Sequence, residues 1–170
     1  MRLQRAIFVL LLLAVAIQIA YFHPKMPEKM ALHFGADGRP NGWMHRDGFV
    51  MVYVFVLALM AAIFFVLPKF LIKIPDQWIN LPHKDYWLAP ERRAQTGQTI
   101  EKFMNECGNA TLAFMLCVFQ MAFSANLEPG ANLPDWVWVL LAAFLGFMGV
   151  WLFRFYRAFR LPPGTGNRTI

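Results

Sequence analysis

Charge is scarce in this sequence, and a soluble domain would need more of it. Only 15% of the 170 residues are Asp, Glu, Lys or Arg and 58% are hydrophobic, against about 25% charged in ordinary globular chains. The shortage is concentrated in blocks: Ala6–Phe22, Gly48–Leu67, Cys107–Leu127 and Trp136–Phe153 carry no charged residue at all. That excludes a single water-soluble core. Cysteine is also rare. Cys107 and Cys117 fall on one predicted helix, about 15 Å apart along its axis, too far to bridge each other. Two thiols in an apolar run read as packing residues. No hydrolase triad, phosphate-cradling glycine loop or HExxH pattern is present. The expectation is therefore a protein that is not an enzyme, with no catalytic residue and no cofactor.

What is there fits a bilayer. Each charge-free run is about the length that crosses a hydrocarbon core of roughly 30 Å. The fold class expected is an all-α integral membrane protein with four transmembrane helices. A first hairpin covers 1–73, with a span at 6–22, an outer loop at 23–47 and a second span at 48–73. A link and helix start occupy 74–102, and a second hairpin covers 103–158 with spans at 103–127 and 136–158. The tail at 159–170 contains Pro-Pro-Gly-Thr-Gly and no periodicity, which predicts disorder.

The first run has two readings. Arg2 and Arg5 before a leucine-rich stretch, with Ala14-Val15-Ala16 as a small-residue site, resemble a secretory signal. The run continues past that site and ends in Tyr21-Phe22, an aromatic pair suited to a membrane interface, so a retained anchor is favoured. The second span should start near Asp47, a good cap residue, and end near Lys73, ahead of Pro75. Pro90 suits a first helical turn. From there to Ala125 no proline recurs and Gly97 is tolerated at modest cost, predicting one long helix that projects beyond the membrane before entering it.

Basic residues set the expected orientation. Arg2 and Arg5 precede the first span, the link between the second and third spans carries Lys69, Lys73, Lys84, Arg92, Arg93 and Lys102, and Arg154, Arg157, Arg160 and Arg168 follow the last span. The link between the third and fourth spans has Glu128 and Asp135 but no Lys or Arg. Basic residues favour the cytoplasmic side, so both termini and the extension of the third helix should be cytoplasmic. The net charge of +6 is then topological and not a nucleic-acid footprint.

The outer loop is the polar, turn-rich island. Met30 to Phe34 predicts a short strand or extended arm, and Asp37-Gly38 and Asn41-Gly42 are turn signals. Its segment Pro27-Glu28-Lys29-Met30-Ala31-Leu32-His33-Phe34, followed by Gly38-Arg39-Pro40-Asn41-Gly42-Trp43, resembles the extracytoplasmic signature of a bacterial membrane domain. That domain of unknown function occurs at the N-terminus of SdpI-type toxin-immunity and signalling proteins. Gly35 stands where the family usually has Asn or Asp. The resemblance covers roughly Ile19 to Leu67, and a second block from Asn80 to Pro90 looks like a cytoplasmic element of four-span relatives. It implies a bacterial inner-membrane protein of the binding, immunity or signalling kind.

Three groups of candidate residues follow. A peptide or protein partner would meet His33, Asp37, Gly38, Pro40, Gly42 and Trp43 at the extracytoplasmic face. Asn80, Pro82, Asp85, Tyr86 and Trp87 form an inner-loop motif beside Lys84, Arg92 and Arg93, suited to membrane lipid or to a cytoplasmic partner. Glu106, Asn109 and Gln120 share a polar face of the third span, where an ionisable residue is a functional candidate by default. A packing role for that face is favoured, with Glu106 pairing to Lys102 one turn away. A small transporter or channel subunit is the alternative function, and it requires a homo-oligomer. His23, His33 and His45 share the loop with acidic residues, but their irregular spacing argues against a metal site.

Overall fold

A backbone in lipid finds partners for its N–H and C=O groups only within its own secondary structure, so the apolar runs must be helical. The computed structural model describes residues 2–163. Helix α1 covers Arg2–Phe22, strands β1 and β2 cover Lys29–Phe34 and Pro40–His45, and helix α2 covers Arg46–Ala61. A single turn, α3, follows at Lys84–Trp87, then α4 at Pro90–Ala125 and α5 at Val137–Ala158. Four helices are long and apolar enough to cross a membrane, the second counted through Lys69. The predicted long third helix is present as the 36-residue α4, with Pro90 in its first turn.

α4 is the central post, touching α1, α2 and α5. The main core lies between α1, α2, α4 and the hairpin, around Tyr53, Phe49, Phe123 and Leu112. The Tyr53 and Phe119 rings stack at 3.7 Å, and Phe22 and Phe123 at 5.1 Å. α5 is held differently, since none of its residues is buried. It rests on α4 through stacked Phe114 and Phe144 rings at 4.3 Å and a hydrogen bond from Trp151 Nε1 to Phe103 O at 3.0 Å.

Three expectations change. The second span does not run as one helix to Lys73: it widens into a π turn at Ala62–Val66 and then tightens into 3₁₀ turns at Leu67–Lys69 and Leu71–Lys73. Pro68 gives the reason, because it lacks an N–H and its ring opposes the carbonyl four residues earlier. The same helix starts at Arg46, capped by His45, whose side chain accepts from Asp47 N. β2 runs up to His45, which leaves Asp47 in the first turn, where its charge suits the helix dipole. Finally, the tail expected to be disordered begins with Phe159, which is 1% exposed and packed with Ile79, Leu81, Leu88 and Ile100. Residues 164–170 lie outside the described residues.

Close approach of the π turn to α4 depends on Gly108. A Cβ there would lie 2.5 Å from Phe64 Cβ and 2.7 Å from the Phe65 ring. Gly108→Ala should therefore cost about 1–3 kcal/mol, read as a lower melting temperature in detergent. Gly146→Ala, where an added Cβ meets nothing within 4 Å, should leave the midpoint unchanged.

Candidate functional site

The outer loop folds as an antiparallel hairpin rather than as a string of turns. Lys29 pairs with His45, Met30 with Met44 and Ala31 with Trp43. The register then slips twice, so that His33 faces Gly42 and Phe34 faces Pro40. Leu32 is left unpaired in β1 and Asn41 in β2, which makes both strands bulged. The Asp37-Gly38 turn forms as predicted: Gly35 N donates to Arg39 O at 2.8 Å, and Asp37 Oδ1 accepts from Arg39 N at 3.1 Å. Asn41-Gly42 does not form a turn. It lies inside β2, because pairing with β1 outweighs the local preference of the dipeptide.

The slips sort the side chains. Met30, Leu32, Phe34 and Met44 pack into the main core, while His33, Asn41, Trp43 and His45 are exposed. His33 Nδ1 is hydrogen-bonded to Asn41 Oδ1. The Lys29 ammonium stands 5.7 Å from the centre of the Trp43 ring. Of the six residues expected to meet a partner, His33, Asp37 and Trp43 present their side chains, and Gly38, Pro40 and Gly42 shape the backbone. Gly38 has φ +75°, a left-handed conformation that favours glycine. Its carbonyl accepts from Leu133 N at 2.9 Å, which ties the tip to the α4–α5 link. A Cβ at Gly42 would lie 2.9 Å from His33 Cβ, so the cross-strand pair closes only over a glycine.

Sequence reasoning misses the residue that anchors this hairpin. Asn126, just past the end of α4, accepts from Ala31 N at 2.6 Å and donates to Ala31 O at 3.0 Å and Ala122 O at 2.8 Å. Its amide imitates a neighbouring strand and satisfies both backbone groups of Ala31, which is fully buried. Also missed are Asn41, His45 and Lys29 on the exposed face; alternation from Asn41 to His45 is the signal, once that segment is read as a strand. His23 Nε2 and His45 Nδ1 approach Asp47 at 3.0 and 3.4 Å, and His33 stands apart from them. Among the described residues no group of three His, Cys, Asp or Glu side chains is placed to hold a metal ion.

The other candidate groups are dispersed into packing contacts. In the inner link, Trp87 Nε1 donates to Phe159 O at 2.9 Å, and Thr96 Oγ1 donates to Trp87 O at 2.7 Å. The Arg92 guanidinium covers the Tyr86 ring at 4.0 Å. Pro82 is half-buried, and Asn80 and Asp85 are exposed. On α4, Glu106 pairs with Arg154 of α5 and not with Lys102, because α5 brings a guanidinium to the carboxylate. Asn109 Nδ2 donates to Gln4 O at 2.9 Å and to Gln4 Oε1 at 2.7 Å. Gln120 Oε1 accepts from Gln18 Nε2 at 2.9 Å, and Gln18 Oε1 accepts from Tyr53 OH at 2.8 Å. Glu106 thus faces α5 while Asn109 and Gln120 face α1.

Fold and site together define a membrane protein with four membrane-compatible helices and a bulged β-hairpin clasped onto the end of its central helix. Residues 9–59 match the family described as a domain of unknown function (DUF1648). The matched stretch runs from within α1 through the hairpin into α2. No curated protein and no solved structure matches the chain.

Asn126→Leu removes the amide that pairs with both Ala31 backbone groups. It should cost about 1–3 kcal/mol, the penalty for buried polar groups left without partners. Hydrogen exchange should show Ala31 losing protection while the middle of α4 keeps its own; unchanged exchange at Ala31 would refute the clasp.

Proposed function

We propose that this chain is a binding or regulatory accessory of a bacterial cytoplasmic membrane, not an enzyme, and that it recognises a peptide or protein through the exposed face of its hairpin. In this reading both termini are cytoplasmic and the hairpin lies outside, as the distribution of basic residues favours. The observation that carries it is Trp43, which is 47% exposed although its cross-strand partner Ala31 is fastened to the bundle. A rigid, exposed indole beside His33, Asn41 and Lys29 is the kind of aromatic anchor on which binding energy concentrates. Fastening lowers the ordering cost of association. The SdpI-like resemblance adds immunity or signalling as the setting.

Trp43→Ala or His33→Ala should abolish co-purification of the partner while membrane insertion is retained. Crosslinking from a photoreactive residue at position 43 identifies what is captured. Undiminished co-purification with both variants would refute this reading.

The polar face of α4 is read as interhelical glue instead of a transport path, because Glu106, Asn109 and Gln120 are each engaged by another helix. Gln120→Leu should lower stability by about 0.6 kcal/mol, and by no more than roughly 1.7, the range for such contacts in membranes. It should leave ion flux in proteoliposomes unchanged. A changed flux would restore the transporter reading.

A further inference from the structure

A cavity opens at the end of the bundle opposite the hairpin, between α1, the π-turn end of α2 and α4. Its polar lining is Arg5, Lys69, Glu101 and Asn105, and its apolar walls are Phe8, Val9 and Phe65. Its volume is about 340 Å³, within the range of roughly 300–1,000 Å³ for small-molecule sites.

Two acceptors in this cavity are buried with no hydrogen-bond partner, Glu101 Oε1 and Asn105 Oδ1. Asn105 is only 2% exposed. Arg5 Nη2 forms a long ion pair with Glu101 Oε1 at 3.8 Å, close enough for charge attraction but beyond hydrogen-bond distance. Buried acceptors without donors are costly and call for an explanation. The two cations, by contrast, are exposed, and Lys69 makes no ion pair among the described residues. The site therefore wants N–H donors inside and an anion just outside them. Depth adds a further constraint. Arg5 immediately precedes the first charge-free run, and Lys69 closely follows the second, which places both at the level of lipid headgroups. Val9 is 53% exposed on the flank of α1, so the apolar wall continues onto the lipid-facing surface.

We propose that this cavity holds a phosphoethanolamine headgroup, supplied by a phosphatidylethanolamine-type lipid of the adjacent leaflet. The primary ammonium donates to Glu101 Oε1 and Asn105 Oδ1, and the phosphate lies between Arg5 and Lys69. The acyl chains leave along Phe8 and Val9. A choline headgroup fails, because its quaternary ammonium has no N–H. A glycerol headgroup brings hydroxyl donors but no charge, so its bonds to Glu101 Oε1 and Asn105 Oδ1 lack the charge assistance of an ammonium. Soluble phosphoethanolamine carries the same recognition chemistry, and the apolar exit favours the lipid over it.

The test is native mass spectrometry of the full chain released from detergent after equilibration with equimolar phosphatidylethanolamine, phosphatidylcholine and phosphatidylglycerol. One phosphatidylethanolamine should be retained about ten-fold or more over phosphatidylcholine, the ratio expected for charge-assisted hydrogen bonds. The preference should vanish in the Glu101→Gln, Asn105→Leu double variant and persist in Gly146→Ala. Equal retention of the ethanolamine and choline lipids by the unaltered chain would overturn the proposal, whether or not the double variant folds. So would an undiminished preference in a folded double variant. Displacement of the lipid by an equal concentration of soluble phosphoethanolamine would overturn the lipid as the occupant.

Discussion

Side-chain amides at three depths of α4 hold this bundle together. Water cannot drive apolar helices together inside a bilayer, so association rests on close packing and on polar groups that find one another. Near one end Asn109 binds Gln4, deeper in Gln120 meets Gln18 and through it Tyr53, and at the far end Asn126 grips Ala31. These contacts fasten α1, α2 and the hairpin to the same post. α5 has no such amide and is correspondingly peripheral, attached through ring stacking, one indole bond and the Glu106–Arg154 pair.

The same constraint explains why the hairpin divides into a shape and a surface. Its buried face must leave no backbone group of Ala31 unpaired, and Asn126 meets that need. The two bulges then turn His33, Asn41, Trp43 and His45 outward together. Gly38, Pro40 and Gly42 are required for this geometry, although they give a partner little side chain to touch. A motif written as Gly-x-Pro-x-Gly-Trp is thus mostly a specification of backbone, with the indole as the part on display.

The four spans are legible in the sequence because lipid imposes length and freedom from charge on every residue of a crossing segment. The limits of α4 are legible too: Pro90 opens it, and neither Gly97 nor Gly108 breaks it on the way to Ala125. What escapes is pairing. Asn41-Gly42 reads as a turn because turn preference is local, whereas its place in β2 is decided by Phe34 and His33 across the hairpin. Glu106 has Lys102 one turn away in sequence, but its partner is Arg154, 48 residues on. Nothing about Asn126 marks it as a clasp, since an asparagine closing a helix is commonplace until Ala31 is placed beside it. Phe159 is assigned to a tail by its neighbours in the chain and to a core by Trp87.

The wide turn in α2 bears on how this chain can vary. A π turn holds one more residue than the α turn it replaces, so between Ala62 and Val66 the number of residues is uncoupled from the direction in which later side chains point. Elsewhere in a span, deleting one residue rotates everything beyond it by about 100° and turns lipid-facing side chains inward. Here the same deletion can be absorbed by reverting to an ordinary turn. The segment works as an expansion joint, where losing one residue leaves the direction of the side chains beyond it unchanged.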